Sequence, residues 1–135
     1  MNKHILIMDD DIDNFTFFYS ALKQLSSVNF ICAYADCAKK GLAMLKYLSP
    51  SFIFIDYSMP RIDGLEVLMH LRRERPLSSM KKILMSNIIT PDLELQARLL
   101  GADEVMEKPE TMNLFVLKLK KMLLPSVLFN TEQVN

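Results

Sequence analysis

The chain has no tryptophan, only two cysteines and three glycines, and no excess of either charge: 16 Lys and Arg are balanced by 16 Asp and Glu in 135 residues. Each scarcity removes a class of protein. Balanced charge gives no general pull toward nucleic acid or an anionic membrane, so neither is expected as a partner, and any partner must be recognised by a local patch. Cys32 and Cys37 lie far from either histidine and make neither a disulfide framework nor a zinc site; packing accounts for both. The opening MNKHILIMDD reaches acids after four apolar residues, too few for a signal-peptide core or a membrane span. The expectation is a cytoplasmic protein with reduced thiols. All six prolines stand at junctions, and there is no internal repeat, low-complexity segment or linker. At 15.6 kDa the length fits one domain with a core of its own. The expected layout is a domain over residues 1–124 and a tail over 125–135, with no output domain.

What is present is an alternation of two patterns. Ile5–Met8, Phe52–Ile55 and Ile83–Met85 are short continuous apolar runs, as parallel strands covered on both faces require. Residues 29–34 and 104–106 complete five. Between them the period is helical: Phe15, Phe18, Leu22 and Leu25 share one face. So do Met112, Phe115, Val116, Leu119, Met122 and Leu123, with Lys118, Lys120 and Lys121 largely off it. Asp36 is placed to cap a helix over roughly 37–48, Asp63 and Glu66 form a capping box for 64–75, Thr90-Pro91-Asp92 opens a further helix and Gly101 closes it. Five β-α repeats predict right-handed crossovers and an α/β, doubly wound, five-stranded parallel sheet.

In such a sheet, ligands sit beyond the carboxyl ends of the strands. The first predicted strand ends in Asp9-Asp10-Asp11, the third in Asp56, the fourth in Ser86, and the fifth runs into Lys108-Pro109. Strands laid side by side would bring carboxylates, a hydroxyl and an ammonium to one edge. Carboxylates that close raise one another's pKa unless a cation intervenes, and an oxygen-only donor set suits Mg²⁺ with room left for a phosphate. Capping explains one of the three opening acids, not all. His4 and His70 have no acid or nucleophile at suggestive spacing and read as structural, and the ten methionines read as core filling.

The motifs ILIMDDD, FIFIDYSMPRIDG, LMS and EKP, in this order and each at a strand end, resemble the response-regulator receiver domain of two-component signalling over about residues 3–123. The resemblance implies a flavodoxin-like three-layer sandwich with strand order 2-1-3-4-5. It implies a phosphoacceptor rather than an enzyme: Asp56 would take the phosphoryl group from a histidine kinase or a histidine phosphotransfer protein. Asp10 would bind Mg²⁺ directly and Asp9 chiefly through water, with Asp56 and the Ser58 backbone carbonyl as further ligands. Ser86 would bond a phosphoryl oxygen, and Lys108 would pair with Asp56 and then with the phosphate, aimed by a cis Lys108–Pro109 bond. Output would be a phosphorylation-dependent protein contact or a phosphorelay step.

The chain departs from that pattern at several positions. Asn87 follows the switch hydroxyl where Ala or Gly is usual, and Val105 stands where an aromatic residue usually reports phosphorylation. Without that aromatic, the signal would travel through the loop from Ser86 to Thr90 and the helix after it. Ser58 and Ile88 hold two positions that govern loss of the phosphoryl group, and neither orients a water well, so slow dephosphorylation is expected. Leu114 and Leu117 lie off the core face of the last helix, and the tail adds Val127, Leu128 and Phe129. These point to self-association or docking through the fourth helix, fifth strand, fifth helix and tail, or to a tail folded over its own core. Two alternatives stand beside the phosphoacceptor. One is a pseudo-receiver that keeps the fold only for docking; the other is a small phosphatase of the haloacid dehalogenase type, with Asp9 as nucleophile and Asp11 as acid.

Overall fold

A computed structural model describes residues 2–25, 28–74 and 79–124. Strands and helices alternate: β1 (Asn2–Met8), α1 (Ile12–Lys23), β2 (Asn29–Ala35), α2 (Ala38–Met44), β3 (Phe52–Asp56), α3 (Gly64–Glu74), β4 (Lys81–Ser86), α4 (Pro91–Leu99), β5 (Glu104–Glu107) and α5 (Met112–Leu123). The strands form one parallel sheet in the order β2-β1-β3-β4-β5, so the direction of winding reverses between β1 and β3. This is the doubly wound flavodoxin-like sandwich expected.

Every second side chain of a strand goes to the same face, which explains why the apolar runs are continuous. Leu6, Met8, Ile53, Ile55 and Leu84 pack beneath α2, α3 and α4. Ile5, Ile7, Phe52, Phe54, Ile83 and Met85 pack beneath α1 and α5. On that second face the ring of Phe18 meets Phe54 and Phe115 edge-on, with centroids 4.7 and 5.3 Å away, and locks α1 and α5 to the sheet.

Four of the five helix starts carry a side-chain cap. Asp11 accepts from the Asp13 amide, Thr90 from Leu93 and Thr111 from Leu114. Asp63 and Glu66 exchange bonds as a capping box. Gly101, at φ +102°, closes α4: its amide reaches the Arg98 carbonyl and the Ala102 amide reaches that of Ala97, the paired bonds of a Schellman motif.

Three expectations are corrected. The second helix is Ala38–Met44 rather than 37–48; Cys37 occupies its cap position without a side-chain bond, and Asp36 instead pairs with Lys40 at 3.1 Å. Gly41 in its middle is a poor helix former, and the chain tightens into i→i−3 bonds at Lys46 and Tyr47. No cis peptide bond occurs among the described residues, so Lys108–Pro109 is trans. Strands β4 and β5 run beyond the predicted Ile83–Met85 and 104–106, because flanking polar residues continue the ladder to Glu107. His4 and His70 are exposed. The tail from Pro125, with Val127, Leu128 and Phe129, lies outside the described residues. Leu114 and Leu117 are indeed exposed. Burial pushes the Cys32 thiol up to about 11, in keeping with a packing role.

Candidate functional site

The parallel register that aligns Met8 with Ile55, and Asp56 with Met85, brings the carboxyl ends of β1, β3 and β4 level. The residues just past those ends therefore meet. Asp9, Asp10 and Asp56 each offer a carboxylate oxygen, and all three oxygens lie within 4.8 Å of one another. Lys108, carried past β5 by its amide bond to the Ser86 carbonyl (2.8 Å), reaches in from the other side. Its Nζ stands 2.9 Å from Asp56 Oδ1 and 3.2 Å from Asp9 Oδ2. Glu107, beside Lys108 in sequence, accepts from Lys118 Nζ through its backbone carbonyl at 3.3 Å.

Asp9 and Asp56 are buried, at 1 and 3% exposure, while Asp10 is open to solvent. Burial pushes the Asp56 carboxyl up from its ordinary value. The hydrogen bond from Lys108 pulls it down, the charge of Asp9 pushes it up again, and an amide bond from Ser58 offsets part of this. Burial alone would lower Lys108, but Asp56 and Asp9 outweigh it and hold the ammonium above its ordinary value. A carboxyl raised beside a lysine that bonds it marks an over-acidic site: three carboxylates face one cation.

That imbalance suits a divalent ion. The donors are oxygens only, the residual charge is negative, and Asp10 and Asp56 both line an open cleft of about 640 Å³. Ser58, Ser86, Asn87, Ile88, Thr90 and Lys108 line the same cleft. The acids, Ser86 and Lys108 are thus brought together as the strand ends predicted, with Asp11 at the rim capping α1. Asn87 and Ile88 are exposed at the mouth of the cleft, whereas Val105 is half-buried and packs against the core beneath α4.

Two supporting residues were not foreseen. Asn14 Nδ2 donates to Asp9 Oδ1 at 3.3 Å, one turn into α1. The Tyr34 hydroxyl, from the end of β2, donates to the Asp9 carbonyl at 2.7 Å. The signal for Tyr34 was its place at the end of the strand that pairs with β1. Burial raises its pKa, and the charges of Asp9, Asp36, Asp10 and Asp11 add to this, so the hydroxyl remains a donor at neutral pH.

Comparison with known proteins agrees with this fold. The family model for the response regulator receiver domain matches residues 5–120. The chain is 29% identical over 110 residues to the DNA-binding dual master transcriptional regulator RpaA of Synechocystis sp., covering 78% of this chain and 42% of that protein. It is 27% identical over 116 residues to the response regulator protein GraR of Staphylococcus aureus, covering 86% and 49%. The chain spans less than half the length of these relatives. Among solved structures, a CheY-like response regulator receiver domain protein from Methanospirillum hungatei superposes with a TM-score of 0.76 at 26% identity, over 91% of this chain and 94% of that one. No helix among the described residues is long and apolar enough to cross a membrane.

Proposed function

The chain belongs to the response regulator receiver domain family, and from that premise we propose that it is a phosphoacceptor whose acceptor atom is a carboxylate oxygen of Asp56. The donor is a phosphohistidine on a histidine kinase or a phosphotransfer protein. A P–O bond forms at Asp56, the P–N bond breaks and the imidazole leaves, giving an acyl phosphate. The observation that carries this reading is Lys108 clamped between Asp56 and Asp9 beside a cluster of three carboxylates at an open cleft. Asp56 lines that cleft and Asp9 does not, which favours Asp56 over the phosphatase alternative with Asp9 as nucleophile.

Asp9, Asp10, Asp56 and the Ser58 carbonyl would hold Mg²⁺, which when bound neutralises charge on the phosphoryl oxygens. The chain's own groups supply the rest. Lys108 exchanges Asp56 for a phosphoryl oxygen, Ser86 donates its hydroxyl to another, and the burial of Asp56 limits water. With Val105 in place of a reporting aromatic, the loop from Ser86 to Thr90 and α4 carry the change of state.

Intact mass after incubation with acetyl phosphate and Mg²⁺ tests chemistry and site together. Wild type is expected to gain one phosphoryl group and Asp56→Asn none. A wild type that gains nothing would support the docking-only reading, which Asn87 at the cleft mouth favours. Output through a second copy is the further reading of the α4–β5–α5 face, where Leu95, Leu99, Leu114 and Leu117 are exposed. Sedimentation that finds only monomer, with and without acetyl phosphate, would remove it.

A further inference from the structure

β2 brings no charge to the cleft, yet it grips the residue on which the acids turn. Ladder pairing between β1 and β2 ends at Met8 and Ala35, and the Asp9 amide still reaches the Ala35 carbonyl at 3.1 Å. The Asp9 carbonyl has no further strand to meet, and the Tyr34 hydroxyl takes it at 2.7 Å. The Tyr34 ring is itself fixed, stacked on Phe15 with centroids 4.4 Å apart, and Phe15 stacks in turn on Tyr19. The Asp9 carbonyl and the Asp10 amide share one planar peptide, so holding the oxygen sets the direction in which Asp10 leaves. The next anchor along the chain is the Asp11 amide on Asp9 Oδ1. Between these two anchors hangs Asp10, the exposed member of the acid cluster.

We propose that Tyr34 is a positioning residue for the divalent-cation site: its hydroxyl fixes the Asp9–Asp10 peptide so that the Asp10 carboxylate is set beside those of Asp9 and Asp56 before an ion arrives. The idea rests on the phosphoacceptor reading. Tyr34→Phe keeps the stacked ring and removes only the donor. Titration with Mn²⁺ alone, followed by loss of the free-ion paramagnetic signal, is expected to show a Kd raised about fivefold, the factor carried by roughly 1 kcal/mol for one neutral hydrogen bond. Tyr19→Phe, in the same aromatic ladder, serves as control and leaves Kd unchanged. In phosphorylation by acetyl phosphate, the Mg²⁺ concentration for half-maximal rate shifts by the same factor, and the rate at saturating Mg²⁺ stays within twofold of wild type. A Kd for Tyr34→Phe within twofold of wild type, whatever the change in metal-free melting temperature, overturns the role of Tyr34 and leaves the phosphoacceptor reading standing. A wild type with no saturable Mn²⁺ binding overturns both.

Discussion

Replacing Asp56 by Asn should make the metal-free protein more stable, although it removes an ion pair. At an effective dielectric of about 20, the Lys108 ammonium at 2.9 Å stabilises the ionised carboxylate by about 6 kcal/mol. Asp9, with a carboxylate oxygen within 4.8 Å, opposes this by at least about 3.5 kcal/mol, and burial at 3% exposure adds several kcal/mol against the charge. The balance is a cost on the order of 1–2 kcal/mol, in the same sense as the raised pKa of Asp56. Asn keeps an oxygen for Lys108 and for the Ser58 amide, and Lys108 keeps Asp9. Thermal melts in EDTA at pH 7 should place Asp56→Asn roughly 5 °C above wild type.

The pH dependence has a definite sign. The folded protein holds the Asp56 proton more tightly than the unfolded chain does, so wild type gains stability relative to Asp56→Asn as pH falls through the raised folded value. The gap is therefore widest at neutral pH and closes toward pH ~4. Mg²⁺ reverses the order, because an ion bound only by the folded state at a hundred times its Kd adds about 2.7 kcal/mol, and the variant has lost one ligand. An Asp56→Asn protein that melts at or below wild type in EDTA at pH 7, or a gap unchanged on acidification, would refute the reasoning.

Three further outcomes follow from the same loops. A Cβ on Gly64 would stand 2.8 Å from both the Asp56 carbonyl oxygen and the Tyr57 Cα, so Gly64→Ala should cost about 1–3 kcal/mol in urea unfolding and slow labelling of Asp56; a loss under about 0.5 kcal/mol would contradict the packing. Arg61 adopts φ +71°, so Arg61→Gly should stabilise by up to about 1 kcal/mol and Arg61→Val destabilise by more than that, read from the same urea curves; a shift in the same direction for both would count against it. With Ser58 and Ile88 at the cleft, a short hydroxyl and an apolar side chain that orient water poorly, the acyl phosphate should outlast donor removal by far more than seconds, followed by intact mass; decay within seconds would contradict it.

What the sequence disclosed and what it concealed divide along a physical line. The strands were legible because a sheet covered on both faces tolerates no polar interruption, and ILIM and FIFI can be little else at that length. The acids and Lys108 were legible because charge at the end of an apolar run is costly and therefore conspicuous. Asp36 misled because its capping position depends on where α2 begins. The helix starts one residue later, at Ala38, and packs Gly41 so close to Met8 that a Cβ would come within 2.5 Å of the methionine, a contact between elements that local pattern does not encode. Lys108 was assigned to Asp56 alone, and its second bond to Asp9 needed the distance between β1 and β5. Tyr34 escaped for a related reason: a neutral hydroxyl that meets a backbone carbonyl leaves no imprint of charge or period. The groups that carry a charge can thus be read from a sequence, while the neutral groups that hold them in place appear only once the strands are side by side.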